Sequence, residues 1–185
     1  MMKKTLSLIL ILSVLLTAAW AAADDSVLFE NEYYTLTLPG NWRIDLDDVK
    51  KEGTFEDLGF MYAREDDGLA IEAGLEYYER LDGISLWDAD EEDFQAYVDM
   101  ILEEFAEDGA YVLDPVYASA IPFIIIRCED DDGEYFYAET VTNGYVLSFY
   151  AYALDWDSNY LPLKNKHLDT FREILGTFQP NAQQA

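Results

Sequence analysis

Cysteine is nearly missing from this chain: among 185 residues only Cys128 is one. No intramolecular disulfide can form, so the fold must hold by packing alone. Histidine is as scarce. His167 stands alone, which rules out metal clusters built on several histidines. Positive charge is the third shortage, with 11 Lys and Arg against 38 Asp and Glu and a formal net charge of −27. A chain so poor in cations cannot neutralise phosphates, which excludes nucleic acid as a partner and disfavours an anionic membrane surface. No apolar run reaches the ~20 residues that a membrane-spanning helix needs. There is no P-loop, no dinucleotide-binding glycine pattern and no G-x-S-x-G nucleophile elbow.

What is present begins with a leader. Lys3 and Lys4 give a positive start, Leu6 to Leu16 is apolar apart from Ser7 and Ser13, and Ala21-Ala22-Ala23 offers a cleavage site before Asp24. These are the three parts of a secretory signal peptide over residues 1–23. Export to the periplasm or the exterior follows. No cysteine sits near the cleavage point, which excludes lipid attachment there. Residues 24–185 then form one strongly acidic domain. Its charge does not imply disorder, because 51% of the chain is apolar and 15% aromatic, enough surface to bury a core. The charge serves solubility, or it attracts cations, basic peptides or basic proteins.

Hydrophobic periodicity places the elements. Val27 to Leu38 reads as two strands joined near Glu30-Asn31-Glu32, with Tyr34, Leu36 and Leu38 alternating against Tyr33, Thr35 and Thr37. Pro39-Gly40 ends that segment. Leu58 to Arg64 and Leu69 to Tyr78 flank the turn-forming Glu65-Asp66-Asp67-Gly68 and predict a hairpin. Over 90–108, Phe94, Tyr97, Val98, Ile101, Leu102 and Phe105 make one apolar helical stripe. Asp90 is its natural cap, and Gly109 suits the left-handed closing residue. Strands follow at Tyr111 to Ser119, with Pro115 marking an edge or bulge, and at Phe123 to Cys128, whose thiol is expected in the core. Glu134 to Thr142 and Tyr145 to Ala153 flank Asn143-Gly144, a strong two-residue hairpin turn. The last of these strands carries bulk on both faces, so both should be covered. A helix over about Lys164 to Leu175 ends at Gly176, with Phe178 packing beyond it. Hairpins dominate and no strand–helix–strand alternation occurs, which predicts an α+β fold: an antiparallel sheet with helices laid on it.

Three stretches resemble a known family. Tyr34-Thr35-Leu36-Thr37-Leu38-Pro39-Gly40-Asn41-Trp42 is similar to the opening strand and Pro-x-x-Trp of the PsbP-like superfamily. The hairpin with Tyr145-Val146-Leu147-Ser148-Phe149-Tyr150 resembles its central strands, and Phe171 to Phe178 its closing helix and the short element that ends it. That superfamily includes extrinsic photosystem subunits, a Ran-binding import factor and many exported bacterial proteins. The resemblance implies an α/β/α sandwich around a central antiparallel sheet and no catalysis. It names no partner, and no manganese-, chloride- or Ran-contacting motif of the specialised members is visible.

Two acidic stretches are candidate cation ligands. Asp155, Asp157 and Asn159 begin like a calcium loop, but Tyr160 stands where the loop needs glycine and Lys166 where it needs a bidentate glutamate. Glu129, Asp130, Asp131 and Asp132 crowd onto a tight turn, where a hard divalent cation would relieve their repulsion. The expected result is loose calcium binding or none, and no other cofactor. Asp45-Leu46-Asp47-Asp48 and Asp66-Asp67 are weaker candidates. Tyrosines and tryptophans exceed what a core needs; those exposed beside acids would suit a basic or glycan partner. The expectation is a non-catalytic exported domain that binds a basic protein or peptide. A weak divalent-cation binder is the alternative, and a hydrolase the third reading.

Overall fold

A computed structural model describes residues 26–47 and 49–181. The leader expected over 1–23 lies outside the described residues, as does Asp48. The first hairpin forms as its alternation predicts. β1 (Val27–Glu30) and β2 (Tyr34–Leu38) pair antiparallel with Phe29 opposite Leu36. The Asn31 side chain folds the turn by accepting the Tyr33 N–H at 2.8 Å and the Tyr34 N–H at 3.0 Å. Tyr34, Leu36 and Leu38 are buried, one side of the strand. Beyond Pro39-Gly40 the chain makes a strand that periodicity could not show, β3 (Trp42–Asp45), and then the two-residue β4 (Lys51–Glu52). β5 (Phe55–Ala63) and β6 (Gly68–Tyr77) form the expected hairpin.

Helix α1 (Glu91–Glu104) starts where its cap predicts: the Asp90 carboxylate accepts the N–H groups of Glu92 and Asp93, both at 3.0 Å. It stops four residues short of the expected end. A single 3-10 turn, Ala106–Asp108, carries the chain to Gly109, which is left-handed at φ 62°. β7 (Tyr111–Ala118) is an edge strand, and its register shifts between Leu113 and Val116, around Pro115. β8 (Ile121–Glu129), β9 (Glu134–Thr142) and β10 (Tyr145–Leu154) follow as hairpins. Asn143 at φ 47° and Gly144 at φ 82° make the turn with both central residues left-handed. After the short β11 (Tyr160–Leu161), α2 (Asn165–Gly176) and β12 (Gln179–Pro180) complete the chain.

The main sheet runs β3-β5-β6-β10-β9-β8-β7, with β4 added to β5 and β11 to β10, and every pairing in it is antiparallel. β1, β2 and β12 make a second, three-stranded sheet. The fold is α+β. On one face of the main sheet, Phe123, Phe136 and Phe149 pack with Phe171, Ile174 and Leu175 of α2 and with Tyr34 and Leu36 of the second sheet. That face is therefore covered by strands as well as by a helix, a difference from the helices expected from sequence. On the other, Tyr97, Val98 and Ile101 of α1 pack with Ile124, Ile126, Val141 and Val146. β10 serves both cores, with Leu147, Phe149 and Ala151 on one side and Val146 and Tyr152 on the other. Its two-faced bulk predicted this.

Candidate functional site

Helix α1 covers only part of its face. Following one register row across the sheet, Asp45 lies opposite Phe60, Phe60 opposite Glu72, Glu72 opposite Tyr150, and Tyr150 opposite Tyr137. Tyr137 is beneath the helix, its ring 4.6 Å from that of Phe105. Tyr150 is 37% exposed, Glu72 is exposed and Phe60 is half-buried. The β3–β5–β6–β10 half of this face is open to solvent.

The reason lies in β6. Its core-facing positions are Leu69, Ile71, Ala73 and Leu75, all buried, whereas the alternate positions Ala70, Glu72, Gly74 and Glu76 offer little for a helix to pack on. Gly74 is needed for space, because a Cβ there would stand 2.8 Å from the Phe55 ring that lies across it. Small residues on the floor leave a groove of about 450 Å³ lined by Asp45, Phe55, Asp57, Phe60, Glu72, Gly74, Ser148 and Tyr150. A hollow of about 180 Å³ continues it over Tyr152 and Tyr160 toward Asp130, Asp132 and Glu134. A third, of about 560 Å³, runs along Phe60, Tyr62, Tyr152 and Tyr160 to Asp155 and Trp156.

Aromatic rings line these hollows in a chain. Phe60 stacks on Tyr62 with centroids 5.4 Å apart, and lies 6.4 Å from Tyr152 at an interplanar angle of 23°. Tyr152 in turn lies 5.1 Å from Tyr160. Trp156 is 69% exposed. Glu72 sits among them, one carboxylate oxygen accepting the Tyr152 hydroxyl. No cation pairs with Glu72 among the described residues.

Tyrosine-to-carboxylate bonds recur through the molecule. Tyr97 donates to Glu139 at 2.7 Å and Tyr137 donates to its other oxygen; Tyr78 donates to Glu76 at 2.7 Å, Tyr33 to Glu56 at 2.8 Å and Tyr135 to Asp108 at 2.7 Å. Burial, and then the bonded carboxylate, pushes each of these phenols above its ordinary value. Burial takes Tyr150 up to about 12. These hydroxyls are neutral donors at neutral pH.

Two of the predicted cation ligands, Asp155 and Asp130, hold their own turns together. Asp155 accepts the N–H groups of Asp157 at 2.8 Å and Asn159 at 2.9 Å, and the Asn159 side-chain amide as well. The Asn159 bonds hold its carboxyl below the usual range. Asp130 accepts the N–H groups of Asp132 at 2.9 Å and Gly133 at 3.0 Å, while Glu129 and Asp131 are exposed. Glu134 pairs with Arg127 and accepts the Leu163 N–H at 3.0 Å. The two acidic turns approach one another across Tyr160, whose hydroxyl is raised by burial and then by the charges of Glu72, Asp132 and Asp130. Among the described residues no group of three or more carboxylates, cysteines or histidines gathers as a metal-holding cluster.

Cys128 and His167 carry no reactive arrangement. Burial pushes the Cys128 thiol up to about 11, so it is not a thiolate at neutral pH. His167 is buried, its Nδ1 accepting the Lys164 N–H at 3.1 Å and its Nε2 lying 3.1 Å from the Asp67 carbonyl. Burial lowers its pKa, which keeps the ring neutral with the proton on Nε2. Asp67, flanked by Lys164 and Lys166, is lowered to about 2 by their bonds. This cluster fastens the β5–β6 turn to the start of α2.

Sequence reasoning counted tyrosines and tryptophans as a surplus but passed over Glu72, Phe60 and Gly74. The alternation Ala70-Glu72-Gly74-Glu76 against a continuous apolar face was the signal that could have found Glu72 and Gly74.

In class, then, the molecule is an α+β domain with an open acidic and aromatic sheet face. Neither a protein-family model nor a curated protein matches the chain. Among solved structures it is similar to PsbP of the cyanobacterium Synechocystis sp. PCC 6803, at 9% identity and a TM-score of 0.45, over 85% of this chain and 93% of that one. It is also similar to a protein of Bacteroides thetaiotaomicron, at 9% identity and a TM-score of 0.42, over 87% of this chain. The chain spans 50% of the length of the Bacteroides protein. No helix among the described residues is long and apolar enough to cross a membrane.

Proposed function

We propose that this protein is an exported, non-catalytic binding domain whose partner is a basic protein or peptide. The export reading rests on the leader-like residues 1–23, and the layered α/β/α reading on the helices that pack into opposite cores. One observation carries the choice of partner: the open sheet face joins a row of aromatic rings to carboxylates, Glu72, Asp45 and Asp57 among them, that form no ion pair among the described residues. Rings of this kind supply rigid contact area, and uncompensated carboxylates select for positive charge. A net charge of −27 adds a field that draws cationic partners in from a distance.

The test is calorimetric titration of the purified protein with a lysine- and arginine-rich peptide, and with an acidic peptide of the same length. The basic peptide binds, the acidic one does not, and the affinity falls as sodium chloride is raised toward physiological strength. Equal behaviour of the two peptides would remove charge as the basis of recognition.

A further inference from the structure

The open face has a more specific design than a general attraction for positive charge. Its rings are close to parallel: Phe60 and Tyr62 differ in plane by 24°, and Phe60 and Tyr152 by 23°. Glu72 lies opposite Phe60 in register and accepts the Tyr152 hydroxyl, which sets a planar anion beside a flat aromatic surface. A guanidinium has the matching shape, since it is planar, stacks on aromatic faces and donates two parallel N–H bonds to a carboxylate. An ammonium is a compact, strongly hydrated charge and gains less from such faces.

Glu72 is placed for that role. One of its oxygens is already oriented by the Tyr152 hydroxyl, which fixes the carboxylate in the floor of the groove, and no donor among the described residues takes the other. Across the three hollows on this face, Arg64 is the one cationic lining residue among those described; seven acids line them besides Glu72, and of these only Glu134 is in an ion pair, with Arg127. A second copy of this chain would bring like charge against like, so self-association does not fill the face.

We infer that the groove over Glu72 is a docking site for an arginine side chain on a basic peptide, with its guanidinium paired to Glu72 and stacked on the half-buried ring of Phe60. The inference rests on the reading of the protein as a binder of basic partners, and narrows it to one position and one side chain.

Calorimetric titration of the purified protein at low salt, with an arginine-only and a lysine-only peptide of equal length and charge, tests it. Glu72→Gln removes the charge at constant size, and Phe60→Leu removes the flat ring but keeps an apolar side chain. Glu173→Gln removes the same charge from α2, on the opposite face. The arginine peptide binds several-fold tighter than the lysine peptide. Glu72→Gln weakens it about tenfold and Phe60→Leu about threefold. Glu173→Gln leaves it unchanged, and matching thermal midpoints show that the variants are folded. If the arginine peptide binds but Glu72→Gln and Glu173→Gln behave alike, the site is overturned while the broader function stands. Equal affinities for the two peptides overturn the choice of arginine. If neither peptide binds the unaltered protein, both readings are overturned.

Discussion

Glu139 is a carboxylate placed beneath α1, 5% exposed, with the hydroxyls of Tyr97 and Tyr137 on its two oxygens. Burial raises its pKa from the ordinary 4.5, and the two phenols pull partly in the opposite direction. A carboxyl whose pKa is raised on folding favours the folded state fully below 4.5 and loses that contribution as the pH climbs through its own higher value. Acidification from neutral pH therefore stabilises this site. Glu139→Gln removes the titration and keeps the shape. The variant gains on the unaltered protein as pH rises from 4.5 to 7, by on the order of 1–2 kcal/mol for each unit by which the pKa is raised. Denaturant unfolding of both proteins at several pH values measures it. A stability difference that does not change with pH would mean that the carboxyl ionises as it does in water.

At the scale of elements, the turns decide more than the strands. Gly144 and Gly83 both have positive φ, 82° and 76°, yet their surroundings differ. A Cβ on Gly144 would stand 2.7 Å from the Tyr77 ring, while nothing lies within 4 Å of one on Gly83. Gly83→Ala costs about 1 kcal/mol, the backbone penalty alone. Gly144→Ala costs about 2–3 kcal/mol, because the β9–β10 turn must also shift away from Tyr77. Urea unfolding compares the two, and equal costs would show that Tyr77 moves aside freely. These long hairpins were also the legible part of the sequence. β9 spans the residues that its flanking turns mark out, and Asp90 and Gly109 bracket α1 and its terminal turn as predicted. β4, β11 and β12 were not legible, since two residues have no periodicity, and each is a strand only because a longer neighbour recruits it. The pairing of β12 with β2 joins the two ends of the domain, which local pattern cannot report. The open face was half legible: its aromatics could be counted, but only the register brings Phe60, Glu72 and Tyr150 into one row.

Over the whole molecule, charge and packing act against one another. The two cores gather most of the buried aromatic and aliphatic side chains on either side of one sheet, and no disulfide reinforces them. Against this stand 38 acidic residues and 11 basic ones. Like charges crowd the surface more densely in the folded state than in the unfolded chain, so self-repulsion lowers stability. Added salt shortens the range of that repulsion to ~10 Å at about 0.1 M, which removes much of it. The few ion pairs lose strength too, but Lys51–Glu56 and Arg80–Glu104 are exposed on the cationic side and contribute little to begin with. Repulsion outweighs attraction in this balance. The thermal midpoint should therefore climb steadily as sodium chloride is raised from low to physiological strength, by several degrees if screening recovers ~1 kcal/mol in a domain of this size. Over the same range the affinity for a basic peptide falls, because the field that destabilises the free protein is the field that attracts its partner. Calorimetric melts across the salt series measure the first effect. A midpoint that stayed flat or dropped would show that the surface acids are already compensated, and would remove the electrostatic ground for a basic partner.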